Sequence, residues 1–309
     1  PSTARKRTAA LTIAVARSCA AARARRAPPR SVAWAAGVRR ARGRHRPAPA
    51  PARPPELDPD PVLPLEPPLD AAVLGVIPQN VGSLMDEGDE SPHAEAYRVL
   101  RTNILFAGRK SEDQTTFTVV SGGAGEGKTT TMFNLAVVFA QMGDRILVVD
   151  SDLRRPSMHR YFKVSNTIGL TNLLLGQNTL DEVIQTSESP NLHFIPSGKL
   201  PSSSMGVLNS AKMKEFVAEM KSRYDYVFFD APPIMGVSDA SVLASAVDLC
   251  VLVVQYRKYP QLMTQRAKDM VIKVGGNLVG VVLNNINISQ DSYYYYCLLY
   301  TSPSPRDSC

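Results

Sequence analysis

Residues Gly122-Gly123-Ala124-Gly125-Glu126-Gly127-Lys128-Thr129 match the pattern G-x-x-x-x-G-K-[ST] in full. Glycines at these positions let a backbone wrap until several amide N–H groups face one centre, where phosphate oxygens are held. Lys128 is then placed to bridge the β- and γ-phosphates of a nucleoside triphosphate, and the Thr129 hydroxyl to ligate Mg2+. Contacts to the nucleotide are expected from Gly122, Gly123, Ala124, Gly125, Glu126, Gly127, Lys128, Thr129 and Thr130. A glycine-rich turn that matches by chance is the competing account. The flanks weigh against it, because a β-type run (TFTVV) precedes the motif and a helical run (TTTMFNLAVVFAQM) follows it.

Two apolar runs end in acids. ILVVD closes on Asp150-Ser151-Asp152, and YDYVFFD on Asp230-Ala231-Pro232-Pro233. In a parallel sheet, ligands sit beyond the carboxyl ends of the strands, which would bring Asp150, Asp152 and Asp230 beside the phosphate loop. Hard carboxylate oxygens suit Mg2+, which keeps most of its waters. One such carboxylate can also take the proton of an attacking hydroxyl. The plainer account is that Asp150 and Asp152 cap the turn that follows. Arg154 and Arg155 fit either phosphate pairing or a solvated surface. Asn284 and Asn285, after a late apolar run, are within reach of a nucleotide base on this reading.

These groups need a scaffold, and the chain alternates strand and helix patterns. Strands are expected at Thr116–Ser121, Arg145–Asp150, Leu192–Pro196, Tyr226–Asp230, Leu249–Gln255 and Leu278–Leu283. Helices are expected near Lys128–Met142, Ser210–Ser222, Ala240–Ala246 and Tyr259–Val274. A further helix opens at Ser91-Pro92, with Leu100, Ile104 and Leu105 at helical spacing. Continuously apolar strands such as ILVVD and CVLVV require cover on both faces. The implied class is α/β, a doubly wound and mainly parallel sheet flanked by helices. Ala71–Pro78 reads either as a short buried strand or as an apolar linker.

Composition divides the chain. Residues 1–55 hold thirteen Arg, one Lys and no acid, a charge of +14 against +7 for the whole, so the remaining 254 residues sum to −7. The basic excess belongs to one tail, and no nucleic-acid partner is expected for the folded body. Residues 1–70 read as a disordered Arg/Ala/Pro-rich segment, with a basic arm, a targeting sequence and residues not native to the domain as competing accounts. The division continues with a linker at 71–92, the folded domain at 93–290 and a tyrosine-containing tail at 291–309. In that tail, residues 297–309 have the character of a read-through. Cys19, Cys250, Cys297 and Cys309 show no paired framework and no CxxC spacing, which weighs against disulfide or zinc scaffolds.

Tyr293, Tyr294, Tyr295 and Tyr296 follow the last apolar run. Four consecutive rings in a polar tail have no core to fill, so an edge strand packing two of them competes with a phosphoacceptor role. Each phosphate would add about −1.5 to −2 charges near neutral pH and repel an acid-lined site.

Taken together, the phosphate loop, DSDLRRP, FFDAPP and the upstream SPHAEAYRVLRTNI resemble the bacterial tyrosine kinases of capsule and exopolysaccharide systems, over roughly residues 71–296. The resemblance implies a P-loop NTPase fold of the MinD/ParA type and an ATP- and Mg2+-dependent enzyme. It further implies that the enzyme phosphorylates C-terminal tyrosines between subunits of a ring. It casts Asp150 as base, Asp152, Asp230 and Thr129 as the Mg2+ shell, and Lys128 as the phosphate-binding cation. Glu95, Arg98 and Arg101 match the family's E-x2-R-x2-R motif, a subunit contact, where a solvated helix face is the alternative. Implied partners are other copies of the chain, a membrane polysaccharide co-polymerase and a cognate tyrosine phosphatase. The implied location is the cytoplasm, at the inner face of the plasma membrane through a partner or an N-terminal membrane segment. Two departures stand out: PSSSMGVLNS replaces the family's Pro-Asn-Pro-type segment, and the tail runs on past the tyrosines. Two other functions compete. One is a MinD/ParA-type ATPase switch, although such proteins carry lysine where Gly123 stands. The other is a nucleotide-binding, non-catalytic partner of a co-polymerase.

Overall fold

The computed structural model describes Leu69 and residues 71–88, 91–108, 114–199 and 206–287. Tyr293–Tyr296, the division at 291–309 and almost all of 1–70 lie outside the described residues. The strands are β1 (Val73–Pro78), β2 (Thr116–Val120), β3 (Ile146–Asp150), β4 (Gln185–Thr186), β5 (Leu192–Ile195), β6 (Tyr226–Asp230), β7 (Leu249–Gln255) and β8 (Leu278–Ile286). They form one eight-stranded sheet in the order β1-β8-β7-β2-β6-β3-β5-β4. Every pairing is parallel except that of the short β4 with β5. The helices are α1 (Leu84–Glu87), α2 (Pro92–Gly108), α3 (Lys128–Gln141), α4 (Met158–Tyr161), α5 (Leu170–Leu174), α6 (Leu180–Val183), α7 (Ala211–Arg223), α8 (Ser238–Ala246) and α9 (Gln261–Lys273).

The sheet buries both faces because its central strands are mostly apolar on both sides. All five residues of β2, β3 and β6 are buried. The two-residue period of a strand sorts them into two cores. Ile146, Val148 and Phe228 face one side with Phe117 and Phe139. Leu147, Val149, Val227 and Phe229 face the other with Phe216 and Met220. On the first side, Phe117 stacks on Phe228 at 5.1 Å between ring centroids, and Phe139 meets Tyr226 edge-on at 4.8 Å. That cluster seats α3, whose residues from Thr131 to Ala140 are all buried.

Val73–Pro78 is a strand rather than a bare linker. It pairs in parallel with β8, and Leu74 and Ile77 enter the first core. A buried amide secures the turn after it. Asn134 on α3 accepts from the Leu84 N–H at 3.0 Å and donates to the Gly82 carbonyl at 2.8 Å. β8 runs three residues past the expected Leu283 because β1 gives it a second partner, with Pro78 opposite Ile286. The other expected strands and helices fall within a few residues of their predicted bounds. Ser210, expected to begin a helix, caps α7 by accepting from the Met213 N–H at 3.2 Å. The short α1, α4, α5, α6 and β4 had no sequence signature, since two to five residues are too few to show a period. Among the described residues, no helix is long and apolar enough to cross a membrane.

The β1–β8 seam has no room at Gly280, where an added Cβ would lie 2.5 Å from the Ala72 carbonyl oxygen and 2.6 Å from Leu74 Cγ. Gly280→Ala should therefore destabilise the domain by about 1–3 kcal/mol in urea unfolding and open residues 71–78 to protease, because overpacking forces the edge strand away.

Candidate active site

Parallel register decides which groups meet. β6 lies between β2 and β3, with Val119 of β2 opposite Asp230 and Asp150 of β3 also opposite Asp230. Two carboxylates thus sit side by side at the ligand-binding edge, next to the loop that leaves β2. That loop spans Ser121 to Gly127 and enters α3 at Lys128, which is 7 % exposed. Gly125 and Gly127 hold φ of +72° and +91°, a region that glycine enters without strain. Glu126 folds beneath the loop, where its carboxylate accepts from the Gly123 N–H and from the Gln255 N–H of β7. Burial pushes its carboxyl above the usual range, against the pull of those two amides.

The Thr129 hydroxyl donates to Asp230 Oδ2 at 2.8 Å. Asp230 Oδ1 is buried and has no hydrogen-bond partner. Burial raises the Asp230 carboxyl to about 6, while the Lys128 charge and the Thr129 hydroxyl act to lower it. Asp150 is fully buried, accepting from the Met158 N–H at 3.1 Å and the Asp152 N–H at 3.3 Å. Burial, followed by the charge of Asp230, lifts its carboxyl well above the ordinary carboxylate range. Asp152 accepts from the Arg154 and Arg155 N–H groups at 3.3 and 3.0 Å. The turn-capping account of Asp150 and Asp152 therefore describes real bonds, and it does not displace the site. The turn brings Asp150 and Asp152 to the end of β3, opposite Asp230 at the end of β6.

These donors fit a hard cation. Asp230 keeps one buried oxygen without a partner while the other accepts from the Thr129 hydroxyl, oxygen donors of the kind Mg2+ takes with few protein ligands, and among the described residues no cluster of three acids forms a metal cage by itself.

Other expected residues lie elsewhere. Glu95 pairs with Arg98 at 3.2 Å on the surface of α2. Arg101 is engaged inside the chain, 2.8 Å from Asp144 and 4.7 Å over the Phe139 ring, where it ties α2 to the end of α3. Arg154 reaches Asp239 at the start of α8, at 3.1 Å. The Asn284 side chain donates to the Glu126 carbonyl at 2.8 Å. Several contacts were not anticipated. Tyr161 shares a 2.6 Å hydrogen bond with the Thr130 hydroxyl, and Ser157 Oγ lies 3.4 Å from Thr129 Oγ1. Lys258 and Tyr259 touch the phosphate loop itself. The one available signal for that last pair was a polar Tyr-Arg-Lys-Tyr cluster at the ligand end of the apolar β7.

A parallel sheet, a glycine loop between a central strand and its helix, and carboxylates on the adjoining strands define a P-loop nucleotide-binding protein. The protein family described as AAA domain matches residues 115–268. The tyrosine-protein kinase YwqD of Bacillus subtilis (strain 168) is 38% identical over 207 residues, covering 67% of this chain and 87% of the relative. The chimerical protein CapA2B2 superposes with a TM-score of 0.67 at 30% identity, over 71% of this chain and 96% of the other. The kinase domain of the Escherichia coli tyrosine kinase ETK gives 0.66 at 28% identity, over 70% and 91%. The chain belongs to the bacterial tyrosine-kinase family, and its enzymatic class is protein-tyrosine kinase. Where a partitioning ATPase carries its loop lysine this chain has Gly123, and a Cβ there would lie 2.5 Å from the Tyr259 ring, which would have to move aside.

A carboxyl raised by burial favours the protonated folded state. Asp230 therefore takes stability away as pH rises from its unfolded value near 4 through about 6. In metal-free protein at pH 7, Asp230→Asn should raise the unfolding free energy by about 1–3 kcal/mol, since it removes a buried charge. The same variant should lose the Mg2+-induced rise in melting temperature. In the parent protein that rise should fade as pH drops below about 6, as the proton competes with the cation.

Proposed function

We propose that this chain uses Mg2+ and ATP to phosphorylate tyrosines in the tail of a neighbouring copy, with Tyr293, Tyr294, Tyr295 and Tyr296 as acceptors. It does so in the control of capsule or exopolysaccharide synthesis and export. The observation that carries this reading is the register of Asp150 and Asp230 beside the Lys128–Thr129 turn.

In the proposed reaction, the loop amides other than that of Gly123, which Glu126 takes, and the Lys128 ammonium hold the β- and γ-phosphates in line with an incoming phenol. Thr129, Asp230 and Asp152 would hold Mg2+, which when bound would supply charge neutralisation. The phenol oxygen bonds to the γ-phosphorus as the bond from that phosphorus to the bridging oxygen breaks, leaving ADP. Asp150 takes the phenol proton. Its raised basicity suits the task, and a carboxylate has about four lone-pair sites, so the two backbone amides it already accepts do not exhaust it. A phenol with pKa near 10 needs only a modest base.

Glu95 and Arg98 offer an exposed, self-complementary pair for a contact between copies, while Arg101 acts by fixing α2 in place. Family membership supports the further partners, a membrane polysaccharide co-polymerase as activator and a tyrosine phosphatase as antagonist. It supports a place at the inner face of the plasma membrane as well.

Incubation with Mg-ATP should yield phosphotyrosine in the parent chain. Lys128→Met and a chain ending at Asp291 should give none above background. Phosphate release without phosphotyrosine would instead identify an ATPase.

A further inference from the structure

When a loop turns its amide N–H groups toward one centre, its carbonyls are forced outward, and each then needs a donor of its own. Every carbonyl from Gly123 to Gly127 has one. Gly123 accepts from the Ser121 hydroxyl at 2.7 Å, and Gly127 from the Thr131 N–H at 2.8 Å, both local contacts. The three between them are served from the far side of the sequence. Ala124 accepts from the Tyr259 phenol at 3.0 Å, Gly125 from Lys258 Nζ at 2.6 Å, and Glu126 from the Asn284 amide at 2.8 Å.

We propose that Lys258, Tyr259 and Asn284 are positioning residues that brace the phosphate loop from outside, keeping its amides aimed at the nucleotide. The inference rests on reading that loop as the nucleotide site. Three observations favour bracing over incidental contact. Asn284 is part of β8 and the Lys258–Tyr259 turn follows directly on β7, so the donors are anchored on two strands distant in sequence from the loop. The Tyr259 ring fills the space beside Gly123, where an added Cβ would lie 2.5 Å from it, so an outward shift of the loop there meets the ring. Lys258 is exposed and Tyr259 only partly covered, so neither is placed there to fill the core. Their turn is itself fixed, with the Lys258 N–H donating to the Gln255 carbonyl at 3.2 Å. Gln255 in turn donates its own N–H to Glu126, so the strand end and the loop are tied at two levels.

The brace carries no reacting atom. Its loss should weaken nucleotide binding while leaving the chemical step alone. Calorimetry of ADP with Mg2+ reads this without any phosphoryl transfer. Tyr259→Phe and Lys258→Met should each weaken ADP binding by about fivefold, and the pair together by about twentyfold or more. Lys258→Arg should return affinity to within about twofold, because it restores a donor. In kinase assays, KM for ATP should rise by matching factors with kcat held within about twofold, the mark of lost ground-state binding. Backbone amides at 122–127 should also exchange hydrogen faster in the double variant at an unchanged melting temperature.

A double variant that melts like the parent and binds ADP within about twofold of it would overturn the proposal. So would a loss confined to Lys258→Met and absent in Tyr259→Phe, which would mean long-range charge rather than bracing. Parent protein that binds no ADP would overturn the nucleotide reading, and the brace with it. Parent protein that binds ADP but makes no phosphotyrosine would leave the brace standing and remove the kinase reading alone.

Discussion

The structure turns on the parallel ladder that sets β6 between β2 and β3. A ladder fixes which residues are neighbours to within a fraction of an ångström, and here it makes Asp150 and Asp230 cross-strand partners at the edge where the phosphate loop departs. Two like charges at that separation, both buried, are unfavourable by themselves. Lys128 and the Thr129 hydroxyl offset part of the cost, and the raised carboxyls record the part that remains. A site left under electrostatic tension in this way is well suited to a cation and a polyanion, because both ligands relieve it.

Tension of this kind needs a rigid frame, and the frame is apolar. The stacked and edge-on aromatics under β2 and β6 fix α3, and α3 fixes Lys128 and Thr129 at its first turn. On the opposite side of the loop, β7 and β8 supply donors for its carbonyls. The phosphate loop is thus gripped on two fronts. Apart from the Gly123 N–H, which Glu126 takes, its amides are left for the ligand, and its carbonyls from Gly123 to Gly127 are committed to protein. β1 extends the same logic outward, since its pairing lengthens β8 toward the Asn284 end that touches the loop.

Glu126 shows how closely binding and folding are interleaved. A carboxylate inside a phosphate site ought to repel the ligand. Here it turns away, buries itself beneath the loop and spends its lone pairs on two backbone amides. Its place in the sequence says only that it belongs to the motif. Its work is structural.

Much of this was legible in the sequence because the relevant physics is local. The glycine spacing, the helix that follows and the apolar strands ending in acids are properties of short windows, and they were enough for the fold class, the phosphate loop and the acids at the strand ends. Longer-range facts were not available there. That Asp150 faces Asp230 rather than some other residue depends on strand order. That Arg101 is committed to Asp144, Asn284 to Glu126, and Lys258 and Tyr259 to the loop carbonyls depends on contacts between segments as many as 158 residues apart. No periodicity encodes such pairings. They exist only once burial of the two cores has chosen the order of strands, and that choice is cooperative across the whole sheet.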